Sequence, residues 1–151
     1  MNATSWWARI TSVSAPSSVV LIRLLVGLIF LSEGIQKFLF PDALGVGRFI
    51  KIGIPAPAMM APFVGVIEIV GGLLLLAGLL SRLVAVPLLI NMLVAIWTTK
   101  LSVLAKVGFW TTAHEARTDF AMILGLVFLI LTGSGPLSLD ALLAGRPRRD
   151  G

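Results

Sequence analysis

Residues 58–80 read AMMAPFVGVIEIVGGLLLLAGLL, and the single charged side chain in that run, Glu68, stands near its middle. At about 1.5 Å per residue the run makes a helix of about 34 Å, enough to cross a hydrocarbon layer about 30 Å thick. A carboxylate at that depth costs about 2.5–3.5 kcal/mol on insertion scales, so it requires a partner or a task. Lipid as solvent therefore decides the fold, and the surroundings of Glu68 decide the function.

Working outward, apolar blocks recur at 19–40, 59–80, 83–100 and 119–133. Apolar residues make up 58% of the chain and charged residues 13%, about half the charged share of a soluble domain. That leaves too little polar surface to cover a water-soluble globule. The predicted fold is all-α, an integral membrane bundle of four transmembrane helices. We divide the chain into an interfacial lead-in at 1–18 carrying Trp6 and Trp7, a membrane domain at 19–142 and a basic tail at 143–151. Arg23 interrupts the first apolar block and no small-residue cleavage site follows it, so 19–40 reads as a retained span.

The net charge of +5 is scattered over helix ends and loops without a basic face or a nucleic-acid motif. The expected partners are membrane lipids, not nucleic acid. Basic residues divide evenly between the two sides of a four-span topology. The RPRR tail at 146–149 and the short link at Ser81-Arg82 tilt us towards both termini being cytoplasmic. Cysteine is absent, which removes disulfides, thiolate metal sites and any dithiol redox chemistry. In a redox system the electrons would have to sit on a partner or a bound cofactor.

Helical spacing gathers the polar residues. Arg23, Gly27, Phe30, Gly34 and Lys37 share one face of the first helix, and Ala61, Gly65, Glu68 and Gly72 one face of the second. Val84, Pro87, Asn91, Ala95 and Thr98 form the expected inner face of the third, and Ala121, Gly125, Phe128 and Thr132 that of the fourth. Side chains lean towards their own helix N-terminus, so Lys37 points into the membrane while Glu68, on an antiparallel helix, points up to meet it. Glu33 stands four residues before Lys37, in the favoured order for an ion pair. We therefore expect an intramembrane cluster of Glu33, Lys37, Glu68 and Asn91, serving either as a ligand or proton site or as a device that fixes helix register, with Asn91 as interhelical glue.

On the same side lie Trp110, His114, Glu115 and Asp119, read as interfacial, with Asp119 favoured at a helix N-terminus. A lone histidine beside carboxylates reads as a hydrogen-bonded interfacial residue, and no metal site is assigned. Arg23 and Arg82, near the opposite surface, are expected to snorkel to lipid phosphates. No P-loop, HExxH or Ser-His-Asp order supports a hydrolase or ATPase, and no catalytic residue is assigned.

Several of these residues resemble the DoxX family of small four-helix membrane proteins: Arg23, Gly27, Gly34 and Lys37; Glu68, Gly71, Gly72, Gly78 and Arg82; Gly108, Phe109 and Trp110; and Gly133, Gly135, Ser138, Leu139 and Asp140. The resemblance covers about 20–142, with Glu33 departing from the family's apolar or small residue. It implies a bacterial inner-membrane protein, some members being associated with redox assemblies and the similar DoxD subunit with a thiosulfate:quinone oxidoreductase. On that basis the expected function is a non-catalytic membrane subunit of a redox or stress-defence complex, with a quinone or lipid pocket between helices one and two. The alternative is a small proton-coupled transporter using Glu68 and Lys37 as a relay.

Overall fold

The computed structural model describes residues 15–144, which are mostly helical with no strand among them. In chain order the helices are α1 (Val19–Leu39), α2 (Val46–Lys51), α3 (Pro57–Ala77), α4 (Ser81–Val107), α5 (Phe109–Glu115), α6 (Arg117–Thr132) and α7 (Leu139–Leu143). Three of them, α1, α3 and α4, are long and apolar enough to cross a membrane. The fourth, α6, has 16 residues and reaches only about 24 Å. The four-span bundle is thus three full spans and a shorter helix. Trp6 and Trp7 of the lead-in and the RPRR run of the tail lie outside the described residues.

The tightest packing joins α1 to α3, and glycine is the reason. A methyl on Gly72 would come within 2.8 Å of the Gly27 carbonyl oxygen and of the Leu31 amide nitrogen. A methyl on Gly34 would reach the Gly65 carbonyl oxygen at 2.7 Å. Gly27 faces Gly72 and Gly34 faces Gly65, so the helices run antiparallel with their backbones in contact. Lipid offers no hydrophobic drive between helices, and such close approach supplies dispersion contact instead. Both predicted stripes hold: Arg23, Gly27, Phe30 and Gly34 are buried on α1, and Ala61, Gly65, Glu68 and Gly72 on α3.

The stripes on the other two helices hold in part. On α4 Val84 is buried and Asn91, Ala95 and Thr98 line the cavity described below, while Pro87 is exposed and Leu88 and Met92 face inward; on α6 Gly125 is buried together with Met122, Leu126 and Leu129, and Ala121 and Phe128 are exposed. The middle turns of both helices are apolar on every side apart from Asn91, so composition marks the inner face there only weakly.

The α3–α4 hairpin turns on Gly78-Leu79-Leu80, and α4 already begins at Ser81, inside the link expected from sequence. Gly78 has φ 68°, and a methyl there would lie 2.5 Å from the Arg23 guanidinium. Leu80 also takes a left-handed conformation, φ 52°, which costs a non-glycine residue about 1–3 kcal/mol. Its N–H donates to Oδ1 of the buried Asp140 at 2.9 Å, which holds it there.

Arg23 overturns its expected role. It is 2% exposed and does not snorkel. Its guanidinium donates to four backbone carbonyls, Leu75 at 2.8 Å, Leu76 at 2.7 Å, Ser134 at 3.0 Å and Leu137 at 2.5 Å. The last turn of α3 leaves carbonyls without helical partners, and a guanidinium satisfies them where water is absent. Ser134 Oγ donates to Asp140 Oδ2, and the Asp140 N–H donates to the Gly78 carbonyl at 3.1 Å. This polar knot closes the end of the bundle at which α1 begins and α3 and α6 end. Arg82 folds back as well, with Nη2 3.4 Å from the Leu131 carbonyl and its guanidinium against Gly133.

Candidate functional site: an intramembrane polar cavity

Above the knot, Val26, Leu75, Leu88, Leu126 and Leu129 form a fully buried apolar layer. Beyond that layer the helices part around a cavity of about 410 Å³, within the size range of small-molecule sites. Its walls come from α1, α3, α4 and α6, and α2 with its flanks covers it through Leu44, Arg48, Phe49, Ile52 and Ile54. The pocket expected between the first two long helices has walls from both, but the glycine seam holds α1 against α3 and the space opens towards α4 and α6.

Glu68 sits at the inner wall, 4% exposed. Lys37 Nζ donates to its Oε2 at 2.6 Å and Asn91 Nδ2 donates to its Oε1 at 2.7 Å. Both carboxylate oxygens are thereby held, from α1 on one side and α4 on the other. Around them stand Phe30, Met60, Val64, Met92 and Met122. Lys37 has further N–H groups and Asn91 a carbonyl oxygen, so this wall can give and accept a hydrogen bond beside an apolar surface.

All four residues of the predicted cluster line the cavity, but Glu33 is bonded differently from expectation. Its side chain is exposed, and Lys37 Nζ reaches only its backbone carbonyl, at 3.5 Å. The ammonium turns to the buried Glu68, where desolvation makes an opposite charge worth more than at an exposed helix position. Asp119 also lines the cavity while standing 3.7 Å from Lys100, whose Nζ is 3.9 Å from Glu115. Trp110 is 83% exposed, and His114 is exposed with its carbonyl accepting from Arg117.

Thr98, on the expected inner face of α4, lines the cavity as well, and sequence reasoning missed Arg48, Thr99 and Thr118, which also line it. Arg48 belongs to α2, which forms in a connection rich in glycine and proline (Gly45, Gly47, Gly53, Pro55, Pro57) and buries Phe49. Thr98 and Thr99 lie in a widened π-type turn, Ile96–Lys100, between two regular stretches of α4. Their hydroxyls donate to the carbonyls of Val94 at 2.9 Å and Ala95 at 2.6 Å, satisfying groups that the irregular turn leaves over.

Comparison with known proteins agrees with this architecture. The family model named DoxX matches residues 18–101. The chain is 54% identical to the "Uncharacterized membrane protein Rv3486" of Mycobacterium tuberculosis, covering 96% of this chain and 93% of that protein. It is 35% identical to the "Putative oxidoreductase CatD" of Bacillus subtilis, over 80% of this chain and 83% of that one. No solved structure matches the chain. A helical bundle built for lipid, with a family match over more than half its length, is a membrane protein that belongs to the DoxX family.

Proposed function

We propose that this protein is a non-catalytic membrane subunit of a redox or stress-defence complex in the bacterial cell membrane, receiving a quinone headgroup in its cavity. The observation that carries this reading is the cavity's inner wall, where Lys37, Glu68 and Asn91 are bonded in sequence among apolar side chains. A quinone carbonyl would accept from a remaining Lys37 N–H, and a quinol hydroxyl would donate to the Asn91 carbonyl. The name of the Bacillus subtilis relative lends support, since a protein of this family called an oxidoreductase places such ligands within reach. A receptor pocket is favoured over a conduit because the buried layer of Val26, Leu75, Leu88, Leu126 and Leu129 lies between the cavity and the opposite end.

The test is binding of a short-tailed benzoquinone to the full chain in lipid nanodiscs, followed by fluorescence quenching. Saturable one-to-one binding that weakens in Asn91→Leu, whose melting curve should barely move, supports the reading. Quenching that rises linearly, as simple partition into lipid does, removes it.

A further inference from the structure

Among the residues that line the cavity, Glu33, Arg48, Val94 and Thr118 are also exposed at the surface. Three of these are polar. A methyl on Gly125 of α6 would lie 2.6 Å from Val26 Cγ2 on antiparallel α1. Seven residues further towards α2, Glu33 therefore stands across from Thr118, and half-buried Asp119 is beside it. Arg48 belongs to the cover. Val94 is the apolar exception, and it lies elsewhere.

The register of α3 and α4 places it. Asn91 bonds Glu68 at 2.7 Å, and a methyl on Gly71 would lie 2.9 Å from Leu88. Both pairs fit one antiparallel register, in which Val64 faces Ala95 and Val66 is level with Leu93. Val64, Val94 and Ala95 all line the cavity, so the seam closed by Glu68 and Asn91 is open one turn beyond them. Val94 is seven residues from Pro87 and so on the same side of α4, and both are exposed. Pro87 borders a second space of about 260 Å³, an apolar groove along the lipid-facing side of this seam, walled by Val66, Val70, Leu74, Val84 and Leu88. The groove begins at Val66, level with the opening beside Val94.

We propose, on the quinone reading above, that the ligand carries a polyprenyl tail, which leaves the cavity beside Val94 and lies in this groove. A tail leaving between Glu33 and Thr118 would strip water from a carboxylate, whereas the opening beside Val94 presents only hydrocarbon. The headgroup thus enters from within the bilayer, and the polar mouth between α1 and α6 stays free for water and protons. Lipid is as apolar as the groove, so the groove adds packing contact to the tail and not a hydrophobic drive. Position is therefore the sharper readout, and affinity the second.

The experiment uses the full chain in lipid nanodiscs and a polyprenyl benzoquinone with a diazirine in its tail. After illumination, adducts mapped by mass spectrometry should concentrate in 66–74 and 84–88, and an excess of short-tailed benzoquinone should remove them. Adducts as dense on Leu21 and Leu28, at the outward face of α1, overturn the proposal. So do groove adducts that survive the excess, the result expected of any acyl chain lying there unattached to a headgroup. Val66→Phe with Val70→Phe fills the groove and should weaken the tailed quinone about fivefold or more, the lower end of overpacking costs. Binding of the short-tailed quinone should stay within about twofold, and Leu28→Phe should alter neither. Equal weakening of both ligands counts against the tail site. Absence of saturable binding by the short-tailed quinone removes the cavity reading as well, whereas misplaced adducts remove the tail site alone.

Discussion

Lys37 and Glu68 meet at 2.6 Å from positions that are not level with one another. Gly34 faces Gly65 across the antiparallel seam, so Lys37 stands level with Pro62 and Glu68 lies six residues, about 9 Å, deeper along the axis. The gap closes because each side chain leans towards its own helix N-terminus, one downward and one upward. Their side chains are 12% and 6% exposed, so the pair is largely removed from solvent.

Breaking this pair from one side should be far worse than removing it whole. Lys37→Met leaves Glu68 uncompensated and is expected to lower stability by about 3–5 kcal/mol. Lys37→Met combined with Glu68→Leu should recover most of that loss. Denaturant titration of the purified variants in detergent micelles measures both. Additive losses in the double variant would show that the two groups do not interact.

Asn91 should separate binding from folding. An interhelical hydrogen bond in a membrane contributes about 0.6 kcal/mol on average, so Asn91→Leu should barely move the melting temperature. Loss of the donor that fixes Glu68 and of the free carbonyl should nevertheless weaken quinone binding about tenfold. Titration in nanodiscs is the measurement, and unchanged affinity would place Asn91 outside the site.

The glycine seam predicts a sharp contrast between sites. Gly72→Ala puts a methyl against the backbone of α1 and should destabilise by about 1–3 kcal/mol through overpacking. Alanine at an exposed position of the same helix, such as Val70→Ala, should change stability by no more than about 0.5 kcal/mol, as surface substitutions usually do. Thermal melts followed by circular dichroism decide the comparison.

Asp140 anchors the closed end and should behave as a core residue despite lying outside every long helix. Asp140→Ala frees the Leu80 N–H and the Ser134 hydroxyl and removes the negative charge near Arg23. A loss of about 3–5 kcal/mol is expected, as for other broken buried charge networks. Asp42→Ala, in the exposed turn before α2, should be silent in the same denaturation assay.

Hydropathy placed α1, α3, α6 and the start of α4 to within about three residues because lipid imposes length and apolarity together. The Lys37–Glu68 contact was also legible, since depth can be counted and side-chain lean is general. Arg23 was misjudged because its four acceptors are backbone carbonyls, which carry no residue identity to read. Glu33 kept its place but not its bond, because one ammonium had two carboxylates within reach and burial chose between them. The extension of α4 to Val107 and the π-type turn within it have no compositional mark, and α2 was hidden among glycines and prolines that usually signal a loop.

The acceptors of Arg23 have a consequence for how the chain is born. Its guanidinium leaves the ribosome early in the first helix, whereas Ser134 and Leu137 emerge more than a hundred residues later. Until then two of the four carbonyls that hold that cation are missing, so its hydrogen bonding is complete only when the last segment arrives. Insertion and final closure are thereby separate events, and a chain cut short before residue 134 would reach the membrane without ever locking.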